Sequence, residues 1–287
     1  MGDPRFRPDL FRGTARAYDQ FRLPYPDALI DTLARCCPAA GTGTMLDLAC
    51  GTGQLGFALR GRFREVWAAD LEPDMIALVR AKALAAGLDS VRPVLSAAED
   101  LIAPTGSFLL VTIGNAFHRM QREAVAANVF RWLRPGGWLA LVWGGSPWDG
   151  DQAWQAALRA FMARWQERVA ARSGDRIPAG YEQARQTRPD PEILRAAGFE
   201  IAPAKTYRHA HEWTPDSIAG YLASTSVLSA AALGELGQAF DADLRRVLAP
   251  WSDPGGLRQE VRFECELARR PSAGVSACRR AGTQSSR

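Results

Sequence analysis

The sequence is short of the residues that build metal centres and covalent frameworks. It has three histidines and five cysteines in 287 residues. Cys36, Cys37, Cys50, Cys265 and Cys278 are an odd set without metal-ligand spacing, and the adjacent pair Cys36 and Cys37 is poorly placed to bridge anything. All five are read as reduced thiols, with no resident metal. No apolar run approaches the roughly 20 residues needed to span a bilayer. Met1-Gly2-Asp3-Pro4-Arg5 also lacks the apolar segment of a secretion signal. The expectation is a cytoplasmic protein with no membrane partner. Lysine is scarce as well: the basic residues are almost all arginine, scattered among acids to a net charge of +4. No basic run with interleaved aromatics appears, which argues against a nucleic-acid partner. There are no internal repeats, and the oligomeric state is left open.

What is present is a hydrophobic content of 47%, enough for a sizeable core. The chain is organised around Met45-Leu46-Asp47-Leu48-Ala49-Cys50-Gly51-Thr52-Gly53-Gln54, an apolar run ending in a glycine-bearing turn before a helical pattern. Thr44 to Leu48 read as a strand and Gln54 to Arg60 as the start of a helix burying Leu55 and Leu59. Gly51 and Gly53 keep side chains out of the turn, so that a ligand can approach the backbone. Gly51-Thr52-Gly53-Gln54-Leu55-Gly56 fits the dinucleotide fingerprint, in which a helix N-terminus faces a pyrophosphate. Asp47 points elsewhere, because a carboxylate four residues before the first glycine would repel a pyrophosphate and hold an ammonium. S-adenosylmethionine carries that ammonium and no phosphate.

Leu46 to Gly53 resembles the first motif of the class I S-adenosylmethionine-dependent methyltransferases. Glu65-Val66-Trp67-Ala68-Ala69-Asp70 resembles their second strand, and Ser96-Ala97-Ala98-Glu99-Asp100-Leu101 their adenine-side turn. Phe108 to Gly114 with Asn115-Ala116-Phe117-His118 resembles the fourth strand and its exit, and Leu133-Arg134-Pro135-Gly136-Gly137-Trp138-Leu139 the turn into the fifth. The resemblance covers residues 44–143 and implies an α/β fold: a Rossmann-like, seven-stranded, mostly parallel sheet with helices on both faces. It also implies that Asp70 accepts both ribose hydroxyls, a role that suits its position about 20 residues beyond the glycines. Leu71 would lie on an adenine face. Ala98 and Glu99 would meet the adenine edge, with Glu99 as a plain helix cap the alternative. Asp47, Ala49, Gly51, Gly53 and Asn115 complete the cofactor set from the core.

Outside the core the expected divisions are lid helices over 1–40, the core over 41–145 and a helical cap insertion over 146–190. A part completing the sheet follows over 191–270, then a disordered tail over 271–287. Residues 1–14 read as mobile or draped. Ala17-Tyr18-Asp19-Gln20-Phe21-Arg22-Leu23-Pro24-Tyr25-Pro26 resembles the N-terminal lid of a small-molecule branch of the family. Tyr18 and Arg22 stand at i and i+4 on one helix face. Arg22 is read as pairing with the cofactor carboxylate beside Tyr18, the alternative being a surface arginine and a packing tyrosine. Trp154, Ala157, Leu158, Phe161, Met162 and Trp165 recur at helical spacing in the cap, and Gly174 to Gly180 reads as a loop. Asp190 to Ala197 reads as a helix, Phe199 to His211 as one strand, Asp216 to Ser226 as a helix and Val261 to Leu267 as the last strand. Tyr207, His209, His211 and Trp213 alternate on one strand face, read as packing on the cap in preference to ligating a metal.

The expected activity is methyl transfer from S-adenosylmethionine to an oxygen or nitrogen of a small molecule. An antibiotic-type specialised metabolite such as an aminosugar or polyketide, or a trans-aconitate-like acid, would serve as acceptor. His118, a few residues past the fourth strand, is the catalytic candidate: a base for a hydroxyl acceptor, or else a substrate-orienting or packing group. The alternatives are a dinucleotide-dependent oxidoreductase and a non-catalytic S-adenosylmethionine-binding protein.

Overall fold

Strand β1 (Thr44–Leu48) is buried along its whole length, as a parallel strand covered on both faces must be. The computed structural model describes residues 10–36, 41–173 and 185–272. In it β1 lies between β2 (Glu65–Asp70) and β4 (Phe108–Gly114), with β3 (Val91–Leu95) outside β2 and β5 (Leu133–Gly144) outside β4. These five strands are all parallel. β6 (Glu200–Ile201) and β7 (Lys205–Glu212) both pair with β8 (Arg258–Arg269), which runs antiparallel to β5 and completes an eight-stranded sheet.

The helices that position the site are α1 (Ala15–Phe21), α2 (Asp27–Arg35), α3 (Gln54–Leu59), α4 (Pro73–Ala85), α5 (Arg122–Trp132), α6 (Ala153–Ser173), α7 (Asp190–Ala196), α8 (Pro215–Ala223), α9 (Ala230–Leu233) and α10 (Gly237–Leu248). Side chains alternate along β1, so each face finds its own partners. Met45 joins Leu29 and Leu33 of α2 and Leu55 and Leu59 of α3. Leu46 and Leu48 join Val125 and Val129 of α5 and Ile193 and Leu194 of α7. Each such leucine contributes about 2 kcal/mol by leaving water.

Two departures from the sequence expectation have local causes. The strand expected from Phe199 to His211 divides at Pro203, which has no amide to donate to a ladder. Ile201 therefore pairs with Ala268 in β6, pairing resumes at Lys205 with Cys265 in β7, and the sheet has eight strands where seven were expected. The helical layer beyond the sheet also draws on two segments. Trp154, Leu158, Phe161 and Trp165 of α6 are buried against Trp213, Ile218, Tyr221, Phe240, Leu244 and Leu248, so α8 and α10 share the cap with α6. The expected Gly174–Gly180 loop and the body of the expected 271–287 tail lie outside the described residues. Among the described residues no helix is long and apolar enough to cross a membrane.

Candidate functional site

A cavity of about 280 Å³ opens at the C-terminal ends of β1, β2, β3 and β4, the edge at which an open parallel sheet receives ligands. Tyr18, Ala49, Gly51, Asp70, Leu71, Ala98, Glu99 and Asn115 all line it. A smaller adjoining recess is lined by Tyr18, Arg22, Tyr25, Gln54, Asn115 and Tyr221, among others. The structure thus brings together nine of the twelve residues named from the sequence. Asp47, Gly53 and His118 line neither space.

The turn after β1 shapes the cavity floor. Ala49 and Asn115, at the ends of β1 and β4, both take left-handed backbone (φ 53° and 52°), a conformation rare for residues with a side chain and characteristic of sites that hold a ligand. Gly51 is also left-handed, and a Cβ there would lie 3.5 Å from the Tyr18 ring. Asn115 Oδ1 accepts from the Gly144 amide at 2.8 Å, tying the exits of β4 and β5 together.

Asp70 is held by the loops around it. Its Oδ2 accepts from the Gly51 amide at 2.8 Å and its Oδ1 from the Glu72 amide at 2.9 Å. Burial raises its pKa above the ordinary range while those amides oppose the rise. Each oxygen still has a lone pair for a ligand hydroxyl. Leu71, beside it, is exposed on the cavity wall.

Asp47 sits behind the turn. Its Oδ2 accepts from the Gly56 amide at 2.9 Å and its Oδ1 from Thr112 Oγ1 at 2.8 Å, and the residue is 1% exposed. Burial raises its pKa to about 7, with the two hydrogen bonds opposing and nearby Asp70 adding to the rise. The carboxylate expected to meet an ammonium instead anchors the first turn of α3 to the sheet. Gly53 opens that helix with left-handed φ 82°, and a Cβ there would press on Phe57 at 2.9 Å. Glu99 lines the cavity, and its Oε1 accepts from the amide of Gln121, the residue before α5, at 2.9 Å.

His118 lies on the turn Phe117–Arg119 just past β4, with its ring 5.5 Å from that of Trp143. Burial, helped by the charges of Arg119, Arg185 and Arg122, lowers its pKa to about 3. On β7, His209 and His211 stack at 6.4 Å and His211 meets Trp213 edge-on at 4.4 Å. No group of three metal-ligating side chains occurs among the described residues.

The end of the segment read as mobile or draped makes contacts that sequence reasoning did not name. Leu10 and Phe11 line the cavity; the Phe11 amide donates to Glu72 Oε1 at 3.2 Å, the Gly13 amide to Asp74 Oδ2 at 3.1 Å, and Arg119 stacks over the Phe11 ring. The available signal is the acidic pair Glu72 and Asp74 at the start of α4, whose carboxylates receive the Phe11 and Gly13 amides. Met75 and Met120 add flexible apolar lining.

Residues 45–137 match the family described as methyltransferase domain. The chain is 34% identical over 170 residues to the demethylmenaquinone methyltransferase of Thermus thermophilus, a match covering 55% of this chain and 74% of that protein. It is 35% identical over 133 residues to an uncharacterized methyltransferase of Mycobacterium tuberculosis, covering 46% of this chain and 51% of the relative. The chain thus spans about half the length of the mycobacterial relatives it matches. A solved structure from Anaeromyxobacter dehalogenans, described as a type II methyltransferase, superposes with a TM-score of 0.59 at 25% identity, covering 87% of this chain and 97% of that one. The chain belongs to the class I S-adenosylmethionine-dependent methyltransferases.

The residues present fit that family's cofactor. A buried carboxylate with free lone pairs faces the cavity, an exposed leucine stands beside it, and a glycine turn leaves room for a nucleoside. The turn is poorly suited to a pyrophosphate, since the Gly56 amide in the first turn of α3 is already taken by Asp47.

Proposed function

We propose that this chain transfers a methyl group from S-adenosylmethionine to an oxygen or nitrogen of a small molecule. The observation that carries the reading is Asp70, locked by two amides on the cavity wall where a ribose would present its hydroxyls. Ala98 and Leu71 would flank the adenine, and the carbonyl groups around the left-handed Ala49 would receive the ammonium in place of Asp47. Arg22 and Tyr18 would meet the carboxylate in the adjoining recess. The cofactor supplies a methyl already activated by the sulfonium charge. The protein's own task is to hold an acceptor lone pair in line at about 3 Å and to exclude water. The Thermus relative is named for demethylmenaquinone, a flat quinone, which puts ring-bearing molecules in the acceptor screen. Hydroxyl- and amine-bearing aromatics, specialised metabolites among them, form the acceptor screen.

The test is calorimetric titration with S-adenosylhomocysteine. Saturable binding is expected, and Asp70→Ala should weaken it by roughly 30- to 150-fold, since one buried carboxylate holding two hydroxyls contributes about 2–3 kcal/mol. A folded variant with unchanged affinity would remove Asp70 from the site and the reading with it.

A further inference from the structure

Arg22 follows directly on α1, a helix of seven residues that is too short to hold itself in place. Its guanidinium is fixed from the other side. Nε donates to Ser224 Oγ at 2.7 Å, Nη1 to the Tyr221 hydroxyl at 3.0 Å and Nη2 to the Ser224 carbonyl at 3.3 Å. The group lies between two rings, 4.7 Å from the centroid of Tyr18 and 4.3 Å from that of Tyr221. All three acceptors belong to the C-terminal end of α8, where a cation is favoured by the helix dipole.

That end of α8 is itself immobilised. Thr214 and Ser217 form a reciprocal capping box at the start of the helix. Tyr221 is wedged edge-on between Trp148 and Trp213, and its hydroxyl donates to Ser146 Oγ past the end of β5 at 3.3 Å. Gly220 lets the Phe21 ring lie against the α8 backbone. Three of the five N–H groups of Arg22 are thus committed to the cap, leaving two for a ligand in the recess that Arg22 lines.

We infer that Tyr221 and Ser224 are positioning residues that hold the Arg22 guanidinium in place for the cofactor carboxylate, so that the cap supplies half of the clamp on the methionine end. The inference rests on the methyltransferase reading above. Its distinguishing consequence is selectivity: losing the cap contacts should cost affinity only for a ligand that carries the carboxylate.

The experiment titrates S-adenosylhomocysteine and its decarboxylated counterpart into the wild-type chain, Tyr221→Phe, Ser224→Ala, the double variant and Asp70→Ala. The double variant should bind S-adenosylhomocysteine about tenfold more weakly, with each single variant between it and wild type. The decarboxylated ligand should lose less than about twofold. Equal losses for both ligands would make the contacts merely structural and overturn the inference, as would an undiminished preference for the carboxylate. Asp70→Ala separates the two failures: if it weakens both ligands while the double variant changes nothing, only the inference falls. If Asp70→Ala changes neither, the cofactor reading falls and takes the inference with it.

Discussion

The two ends of the cavity are built on different principles. The sheet end, where the proposed nucleoside would lie, is made by short exits from neighbouring strands: the turn after β1, Asp70 and Leu71 at the end of β2, and Ala97 to Glu99 after β3. Asp70 is placed there by the backbone amides of Gly51 and Glu72, and Glu99 by that of Gln121. The opposite end is made by α1 and α8, whose contact joins residues about 200 apart in the chain: Arg22 with Tyr221 and Ser224. The first end is rigid because the sheet is rigid. The second is only as firm as the packing between a seven-residue helix and a cap. A scaffold of this kind can keep one cofactor while the lid and cap diverge around different acceptors.

The largest expected effect falls on the rigid end. Asp47 has its pKa raised from 3.8 to about 7, so the folded state holds this proton more tightly than the unfolded chain does. Its contribution to stability is therefore complete below about pH 4 and is lost as pH rises toward 7. At 1.36 kcal/mol per pKa unit the loss has an upper bound of roughly 4 kcal/mol. Asp47→Asn keeps an acceptor for the Gly56 amide and can donate to Thr112 Oγ1, yet it has no proton to lose. Denaturant midpoints measured from pH 4 to pH 8 should fall more steeply for the wild type than for Asp47→Asn. Parallel curves would show that the carboxyl titrates normally and that the turn is more open than the structure has it. Asp70→Ala, at about 2–3 kcal/mol in cofactor affinity, comes next.

The lid end should respond less and more selectively. A Cβ on Gly220 would fall 2.3–2.4 Å from three atoms of the Phe21 ring. Gly220→Ala therefore has to push α1 off α8, at a cost of about 1–2 kcal/mol. Hydrogen exchange should speed up in Ala15–Phe21 while the amides of β1 and β4 stay protected. Affinity for S-adenosylhomocysteine should drop up to roughly tenfold. Uniform deprotection of the sheet would erase the contrast between the ends.

The same contrast explains what could be read from the sequence. That the glycine turn, Asp70 and Ala98-Glu99 meet at one cavity was legible because each lies within a few residues of a strand that announces itself by apolar run and length. The lid arginine was legible as a residue and illegible as a contact, since Ser224 and Tyr221 carry no pattern that links them to residue 22. Helix α10 was overlooked even though Phe240, Leu244 and Leu248 fall four apart and are buried. Its partner α6 lies about 80 residues upstream, so the cap was drawn from one segment alone. Asp47 was legible in its strand, while its partners Gly56 and Thr112 were not. Periodicity fixes its face, and the face it shares with Met45 is the one covered by α3, whose Gly56 amide it meets.

The smallest effect is expected at His118, on the turn just past β4. A base for a hydroxyl acceptor is most effective with a pKa near the working pH, whereas burial and three arginines take this imidazole down to about 3. It is therefore neutral throughout pH 5–9 and contributes no ionisation to a pH–rate profile in that range. Its ring faces Trp143, and neither cavity includes it among its walls. His118→Gln should leave the shape of the kcat/KM profile unchanged and lower its height by less than about threefold, the loss expected from a small shift in packing beyond the β4 exit. The substitution should act on stability instead. A histidine whose folded pKa lies below its unfolded value costs stability as pH falls from about 6.5 toward 3, because only the unfolded chain takes up the proton. The glutamine variant lacks that cost and should hold its thermal midpoint better than the wild type near pH 5. A wild-type rate profile with a limb near pH 6–7 that vanishes in His118→Gln would put the imidazole back at the reacting atoms, and with it a closed form in which the turn Phe117–Arg119 swings toward the acceptor.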